Sequence, residues 1–529
     1  MKRLFVAAVL LLAALPLRAQ IPDARLMPAG AFRWAFTPSW KSWDRVLDVN
    51  GDERLLTSLA SSDSAGADLF SPMAAAEKAV QYIIADTTYR MTLGAMKTAL
   101  DADARRFPLD FAVGLGRRVT FTAGFPIVVT RMNAVLTLDS TSGNLGWNQM
   151  ATAAGNSGGA SQIATLFSQL DASLMQLNIR LAPGGALGCP GGPQCGPATS
   201  AYNRAAALRY NLNTLVGQVA NIAAIPTPGF RVVGPAGAQS AAPLATSAAG
   251  LAINAAILSV SQLLALYGAP GITETLPLPA KRLSASDVQT IVGTPALGYG
   301  DSPFDYTKVT GLGDAELGIR VGAVQTPHAR VVLFGGARLP TGKRDSPLNL
   351  IDIAPADRQL DLTAGFEAAL EPGSTIALSL AGSFTRQFPD ELDRRVAPQE
   401  QVITTAPVVR VRRDLGDELY LSAFPGIRLN DAFRVYAGGT YYHKGADRYS
   451  GTADADSIGI RTEMQATSFT GGIQYRSVGG AEKLPVEAGL TYSAVYTGSG
   501  GFTPKATTLT MYLRFYYRLW GAKAAAVPG

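Results

Sequence analysis

From Asp314 to near the C-terminus, the sequence consists of segments in which apolar side chains alternate with polar or small ones. A side-chain period of two is that of a β-strand. In the segment 509–519, Leu, Met and aromatic residues alternate with a second set that includes Arg514 and Arg518. Arginines opposite a continuous apolar face are typical of a membrane barrel with a wet interior, whereas a soluble β-sandwich would enclose the apolar face between two sheets.

The connections between these segments favour the barrel. Short turns, such as 326–328 and 371–374, alternate with longer polar connections, such as 343–356 and 387–400, as in outer-membrane barrels. The sequence therefore predicts an all-β transmembrane antiparallel β-barrel of about twelve strands, with fourteen as the alternative, and an α-helical insertion on the extracellular side or in the lumen. The expected strands cover residues 29–45, 89–113, 118–138, 311–325, 328–341, 357–370, 374–388, 402–429, 432–444, 461–477, 484–497 and 505–520.

Two further residue types have expected places in such a barrel. Aromatic residues near strand ends are expected to form girdles at the membrane interfaces; they are Trp34, Trp40, Trp43, Tyr441, Tyr442, Tyr516, Tyr517 and Trp520. A group of arginines on or near the expected strand 402–429 either contacts lipopolysaccharide phosphates or lines the lumen; they are Arg394, Arg395, Arg410, Arg412 and Arg413.

The first residues have the features of a secretory signal. Lys2 and Arg3 precede the apolar run 4–15, and Ala19 is a small residue at the expected cleavage position. We expect cleavage after Ala19 and location in the bacterial outer membrane. The formal net charge of +6 is scattered along the chain, so no nucleic-acid partner is predicted.

The middle of the chain has a helical periodicity and few charges. Apolar residues form one stripe that ends before Pro183 and a second that ends before Pro226. These stripes either pack against each other as a helical hairpin or form an apolar groove above the pore that binds a hydrophobic solute. The candidate solute-binding residues are Phe167, Leu174, Leu177, Leu215 and Val219.

Both cysteines, Cys189 and Cys195, lie in the turn-rich loop between the two predicted helices. In an exported protein this arrangement predicts a short disulfide that pins the hairpin. A third helix, 248–267, approaches the length of a membrane span, but its polar residues make it amphipathic and we predict that it does not cross the bilayer. A shorter helix is expected over 72–85, with Ser71 as its cap.

These features divide the chain into five parts: a signal peptide (1–19), the first barrel strands with an outer loop that contains a short helix (20–139), a helical insertion with the Cys189–Cys195 loop (140–310), the remaining barrel strands (311–520) and a short tail (521–529).

Two short motifs stand at the start of the later strands: Gly311-Leu312-Gly313-Asp314, and Pro340-Thr341-Gly342. On these motifs the sequence resembles the outer-membrane transporters of the phenol meta-pathway and the FadL-like channels for hydrophobic compounds. In those proteins a Gly-x-Gly-Asp opens one strand and a Pro-Thr-Gly closes the next before an outer loop. The resemblance implies a barrel that takes up hydrophobic compounds, with Gly311, Gly313, Asp314, Pro340, Thr341 and Gly342 in structural roles.

An enzyme is not predicted. The chain has two histidines, His328 and His443, and no Gly-x-Ser-x-Gly nucleophile signature. No metal or other cofactor is predicted either, because His and Cys ligands do not cluster.

The expected function is passive uptake of small hydrophobic or aromatic compounds, or of fatty acids, through an outer-membrane channel. The expected partners are outer-membrane lipid and lipopolysaccharide, a small hydrophobic solute and, during insertion, the barrel-assembly machinery. Two alternatives stay open: a general aqueous porin, and a structural or adhesive outer-membrane barrel.

Overall fold

The computed structural model describes residues 24–55, 61–67, 70, 73–148, 157–216, 241–293, 305–344, 346–349, 353–373, 375–396, 408–477 and 486–520. The predicted signal peptide and the short C-terminal tail lie outside the described residues, as do Ser71 and Val219.

The described strands are numbered in chain order. They are β1 (Ala31–Phe36), β2 (Ser39–Trp43), β3 (Arg45–Leu47), β4 (Glu53–Leu55), β5 (Ala95–Gly114), β6 (Val119–Asp139), β7 (Leu145–Trp147), β8 (Ala241–Pro243), β9 (Thr307–Leu312), β10 (Ala315–Gln325), β11 (Ala329–Leu339), β12 (Asp361–Leu370), β13 (Ile376–Gln387), β14 (Asp390–Arg395), β15 (Val408–Asp414), β16 (Glu418–Arg428), β17 (Phe433–Lys444), β18 (Arg448–Ser450), β19 (Met464–Arg476), β20 (Glu487–Ser499), β21 (Thr503–Pro504) and β22 (Thr507–Arg518).

Fourteen of these strands form one antiparallel sheet that closes on itself. Both β1 and β2 lie between β5 and β22, so they are two pieces of one barrel strand, interrupted at Pro38, which has no N–H to donate. Likewise, β9 and β10 both pair with β6 and are interrupted at Gly313 and Asp314. The barrel wall therefore has twelve strands, which confirms the predicted number and decides against fourteen.

The two ends of the barrel differ in the length of their connections. Tight turns join β5 to β6, β10 to β11, β12 to β13 and β16 to β17 at one end, together with the connection from β19 to β20, and most of the long connections lie at the other end. We refer to these as the periplasmic end and the outer end, because outer-membrane barrels carry their short turns on the periplasmic side.

The two faces of the barrel wall also differ. Large apolar side chains on the outward face are exposed, as a surface in contact with lipid requires; they include Phe125, Ile319, Leu333, Phe366, Phe384, Leu421, Phe469, Leu490 and Leu513. The inward face is rich in buried hydroxyl and charged side chains, described below. This alternation is the one that the sequence predicts.

One predicted strand, 402–429, is wrong. Its two halves belong to different sheets: β16 is in the barrel, whereas β15 pairs with β14 and β18 in a separate three-stranded sheet. The chain changes direction at Gly416, whose N–H donates to the Asp447 carboxylate and whose missing Cβ leaves room for the backbone of Gly445. The five arginines predicted near this strand lie in or beside the small sheet, so they do not line the barrel wall.

A second compact unit comprises residues 61–97 and 136–303. Its helices are α1 (Met73–Ile84), α2 (Ser157–Leu181), α3 (Cys195–Val216), α4 (Ala248–Leu266) and α5 (Ala285–Gly293).

Helices α1, α2 and α4 lie where helices are predicted, and α5 is not predicted. Helix α3 begins earlier than the second predicted stripe, whose end lies outside the described residues. Helix α4 is, within the described residues, the one helix long and apolar enough to cross a membrane. Its inward residues Ile253, Ile257 and Leu264 are fully buried.

Candidate functional site: the barrel lumen

The periplasmic end of the lumen contains a carboxylate held by three arginines. Glu371 lies in the turn after β12, and its side chain is 9% exposed. Nη2 atoms of Arg330, Arg428 and Arg434 lie 2.6, 2.8 and 3.0 Å from its carboxylate oxygens. Burial alone would raise the pKa of Glu371, but the charges of Arg330 and Arg434 outweigh it and lower the pKa to about 2.

A second carboxylate, that of Glu487, is also surrounded by three arginines. Glu487, at the periplasmic start of β20, is 1% exposed and lies within ion-pair distance of Arg25, Arg476 and Arg514, at 3.1, 3.6 and 3.3 Å. The hydroxyl of Tyr516 also donates to it, at 2.9 Å. Together the two clusters place six arginines around two glutamates, so this part of the lumen carries an excess of positive charge.

Farther from the periplasmic end, the wall formed by β16, β17, β19, β20 and β22 is lined by hydroxyls. They are Ser422, Thr440, Ser468, Thr470, Thr491, Ser493, Thr508 and Thr510, all more than nine-tenths buried. Some pair across strands, as Thr470 does with Ser493 at 2.9 Å.

Two inward-facing aromatic rings lie on neighbouring glycines of the same wall, and a third packs against one of them. Tyr436 lies over Gly472 and Tyr512 over Gly489, where an added Cβ would overlap the ring. Phe424 packs edge-on against Tyr436, with ring centroids 6.1 Å apart. The missing side chains let the rings lie close to the backbone.

At the outer end the lumen contains an apolar zone beside buried charged side chains such as Asp361, Glu418 and Lys444. One cluster of buried side chains draws on six barrel strands, including β6 and β17, which are six strands apart in the ring of twelve. Its members are Trp43, Val46, Leu47, Leu100, Ala102, Met132, Ala134, Ile353, Tyr442, Met464, Ala466, Val495 and Ala506. We call this group the outer apolar cluster. Trp43 and Tyr442, predicted in the girdles, belong to it instead.

Ile353 reaches this cluster from the loop between β11 and β12, and the two sequence motifs hold that loop in place. The carboxylate of Asp314 accepts hydrogen bonds from the N–H groups of Gly342, at 2.8 Å, and Arg358, at 3.0 Å. Both ends of the loop are therefore tied to the interruption between β9 and β10.

The other motif residues complete this contact. The hydroxyl of Thr341 accepts from the N–H of Ala315 at 2.9 Å. A Cβ on Gly342 would overlap Ala356 and the backbone of Gly313, and one on Gly311 would press on Lys343 and Pro355. Pro340 directly follows the last residue of β11. These positions are consistent with the structural roles that the resemblance implies.

The candidate solute-binding residues of the helical insertion are buried in the second unit. Phe167, Leu174, Leu177 and Leu215 are between 0 and 8% exposed. Helix α3 packs against α1 and α4 as well as against α2, and buried apolar stripes are what the packing of amphipathic helices requires. A solute-binding role for these residues and Val219 stays a prediction.

The predicted disulfide between Cys189 and Cys195 is present, with Cα atoms 5.4 Å apart. It closes the loop between α2 and α3. Several turns farther along the two helices, Arg209 of α3 forms a bidentate ion pair with Asp171 of α2, at 2.9 and 3.1 Å, and lies over the ring of Phe167.

The two histidines lie apart. Nδ1 of His328 is 3.1 Å from the carbonyl oxygen of Glu371 in the periplasmic turns, and His443 lies near the outer end of β17. Among the described residues, no group of three or more His, Cys, Asp or Glu is placed to hold a metal ion.

A closed antiparallel barrel with an even number of strands, an apolar exterior and a polar interior is the architecture of outer-membrane β-barrel proteins. The chain is similar in fold to an outer membrane channel from Pseudomonas putida F1, with 9% identity over 94% of this chain and 98% of that one, and a TM-score of 0.41. It is also similar to a FadL homologue from Pseudomonas aeruginosa (6% identity, 93% and 91%, TM-score 0.27) and to the toluene transporter TbuX from Ralstonia pickettii (9%, 93% and 90%, TM-score 0.27). No protein-family model and no curated protein matches the sequence.

Proposed function

We propose that the protein is an outer-membrane channel for passive uptake of small hydrophobic or aromatic compounds, or of fatty acids. The observation that carries the proposal is the outer apolar cluster. A lumen meant for water and ions has no need of a dry apolar zone. A hydrophobic solute that arrives from outside the cell would leave water at the outer apolar cluster. The proposed partners of the barrel itself are lipopolysaccharide and outer-membrane lipid, which surround it, and the barrel-assembly machinery, which inserts it.

The outer apolar cluster has side chains suited to this task. Met132 and Met464 are unbranched and flexible, so they can repack around solutes of different shape. Ile353 comes from a loop rather than from the barrel wall, so its position depends on the contacts that hold the loop.

Met464→Gln is expected to reduce uptake of radiolabelled toluene about tenfold, because an amide in a dry apolar zone costs about 1–2 kcal/mol without a partner. The measurement is initial uptake by cells that produce equal amounts of folded barrel, judged by the mobility of unheated protein on a denaturing gel. Met175→Gln is the control, because Met175 on α2 is 64% exposed. Equal uptake by Met464→Gln and wild type would remove the cluster from the solute's path.

The charged lumen at the periplasmic end favours the second candidate, an aqueous porin. Single-channel conductance in a planar bilayer separates the two. Silence or rare brief openings are expected for the proposed channel. Large, steady, ohmic steps would establish a water-filled pore and would overturn the proposal in favour of the aqueous porin.

A further inference from the structure

Among the residues that the structure describes, one lysine inside the barrel has no anionic partner. Lys41 lies on the inward face of β2 and is 8% exposed. Among the described residues its Nζ has no hydrogen-bond acceptor, and its nearest assigned contact is the ring of Trp43, whose centroid is 5.1 Å away. A buried ammonium without a partner is costly, and an ionisable side chain at membrane depth that is retained in this way points to a role in handling a solute.

The neighbouring strand presents two hydroxyls beside this lysine. Thr508 of β22 is directly opposite Lys41, and Thr510 is opposite Ser39 in the same register. Both threonines are 3% exposed, and the Oγ1 atom of each has no hydrogen-bond partner among the described residues. An ammonium and two hydroxyls can all donate, so together they suit an oxyanion.

Lys41 is also next to the outer apolar cluster. Trp43, two residues further along the same face, belongs to the cluster, as does Ala102, which is opposite Trp43 on β5. A ligand that fills both regions has an anionic head and an apolar body. The lysine and the cluster therefore select for an amphiphilic anion rather than for a free inorganic ion.

The charge distribution nearer the periplasm agrees with this polarity. The two clusters at Glu371 and Glu487 contain six arginines and two carboxylates. A positive field at that end attracts anions and opposes cations.

From these contacts we propose that Lys41, with Thr508 and Thr510, binds the carboxylate of an amphiphilic organic acid whose apolar part enters the outer apolar cluster. The inference rests on the proposed function and narrows it to a substrate class. Lys41 binds the head group, and the cluster binds the body.

The test measures equilibrium binding of radiolabelled 4-phenylbutyrate to the full-length protein in lipid nanodiscs, with empty nanodiscs subtracted. Wild type is expected to bind about one equivalent saturably, and Lys41→Met to bind at least tenfold more weakly, since methionine keeps the length of the side chain and removes its charge. Lys308→Met is the matched control, because Lys308 is an exposed lysine of β9 in the same barrel. It is expected to bind as wild type does.

A second readout separates this inference from the proposed function. Toluene carries no charge and offers no carboxylate to Lys41, so toluene uptake by wild-type cells tests the proposed function independently of Lys41. Unchanged 4-phenylbutyrate binding in Lys41→Met, or no saturable binding in wild type, overturns the role of Lys41. Absent toluene uptake in wild type would contradict the proposed function and leave the binding result to decide the role of Lys41. Because methionine removes an uncompensated buried charge, we expect Lys41→Met to fold at least as stably as wild type.

Discussion

Glu371→Gln is expected to lower the free energy of unfolding by about 3 kcal/mol or more, because it leaves three arginines at the periplasmic end without their shared carboxylate. Breaking a buried ion pair on one side costs more than the pair itself contributes, since the remaining charges stay shielded from water. The measurement is urea unfolding of the barrel in lipid vesicles.

Glu391→Gln provides the control for this substitution. The Glu391 side chain is 65% exposed and lies 3.5 Å from Arg410, so its loss is expected to change the unfolding free energy by less than about 0.5 kcal/mol. Equal urea midpoints for the two variants would contradict the structural role of Glu371.

The carboxylate of Glu371 also makes the stability of the wild-type protein depend on pH. The pKa of Glu371 is lowered from 4.5 to about 2 in the folded protein, so its stabilising contribution is complete above about pH 4.5 and is lost as the pH falls toward 2. Wild type is therefore expected to lose more stability than Glu371→Gln over this range. Parallel losses in the two proteins would show that other carboxylates account for the acid sensitivity.

Asp314→Asn is expected to release the loop between β11 and β12 from the barrel. The two carboxylate oxygens accept from two backbone N–H groups, whereas an asparagine amide offers one oxygen and would turn its NH₂ group toward the second donor. The substitution removes a charged acceptor and leaves a buried donor unpaired, and together these changes are expected to destabilise the attachment of the loop by about 3 kcal/mol. Limited trypsin digestion checks this, because cleavage after Arg344 or Arg358 should become faster.

Asp456→Asn is the control for the loop, since Asp456 is exposed in the connection before β19 at the same end of the barrel. Its cleavage pattern should match that of wild type. If Asp314→Asn is cut no faster than Asp456→Asn, the carboxylate does not hold the loop.

The fold was predictable from the sequence because a strand exposed to lipid on one face and to water on the other has to alternate. The alternation at 360–370 and 509–519 therefore determines both the strand and its orientation. The disulfide was predictable from two cysteines in one turn-rich loop. The strand at 402–429 was misassigned because alternation identifies a strand but not its sheet, and Gly416 is a single residue in an otherwise alternating segment.

The candidate site was largely hidden from sequence reasoning. Trp43 and Tyr442 were assigned to girdles because aromatic residues near strand ends usually lie there, whereas a one-residue difference in register decides whether the ring faces lipid or the lumen. Lys41, between two tryptophans of a short strand, offered one signal: an isolated cation in a segment expected to cross the membrane. The clusters around Glu371 and Glu487 join residues far apart in the chain, so their composition depends on strand order.

Because the rings of Tyr436 and Tyr512 lie on glycines, substitutions at those glycines can change the width of the channel. At this level the free width depends on Gly472 and Gly489, two residues without side chains, as much as on the tyrosines themselves. Adding one methyl group behind a ring would move that ring toward the barrel axis. The bore can therefore be narrowed by a substitution that presents no new chemical group to the passing solute.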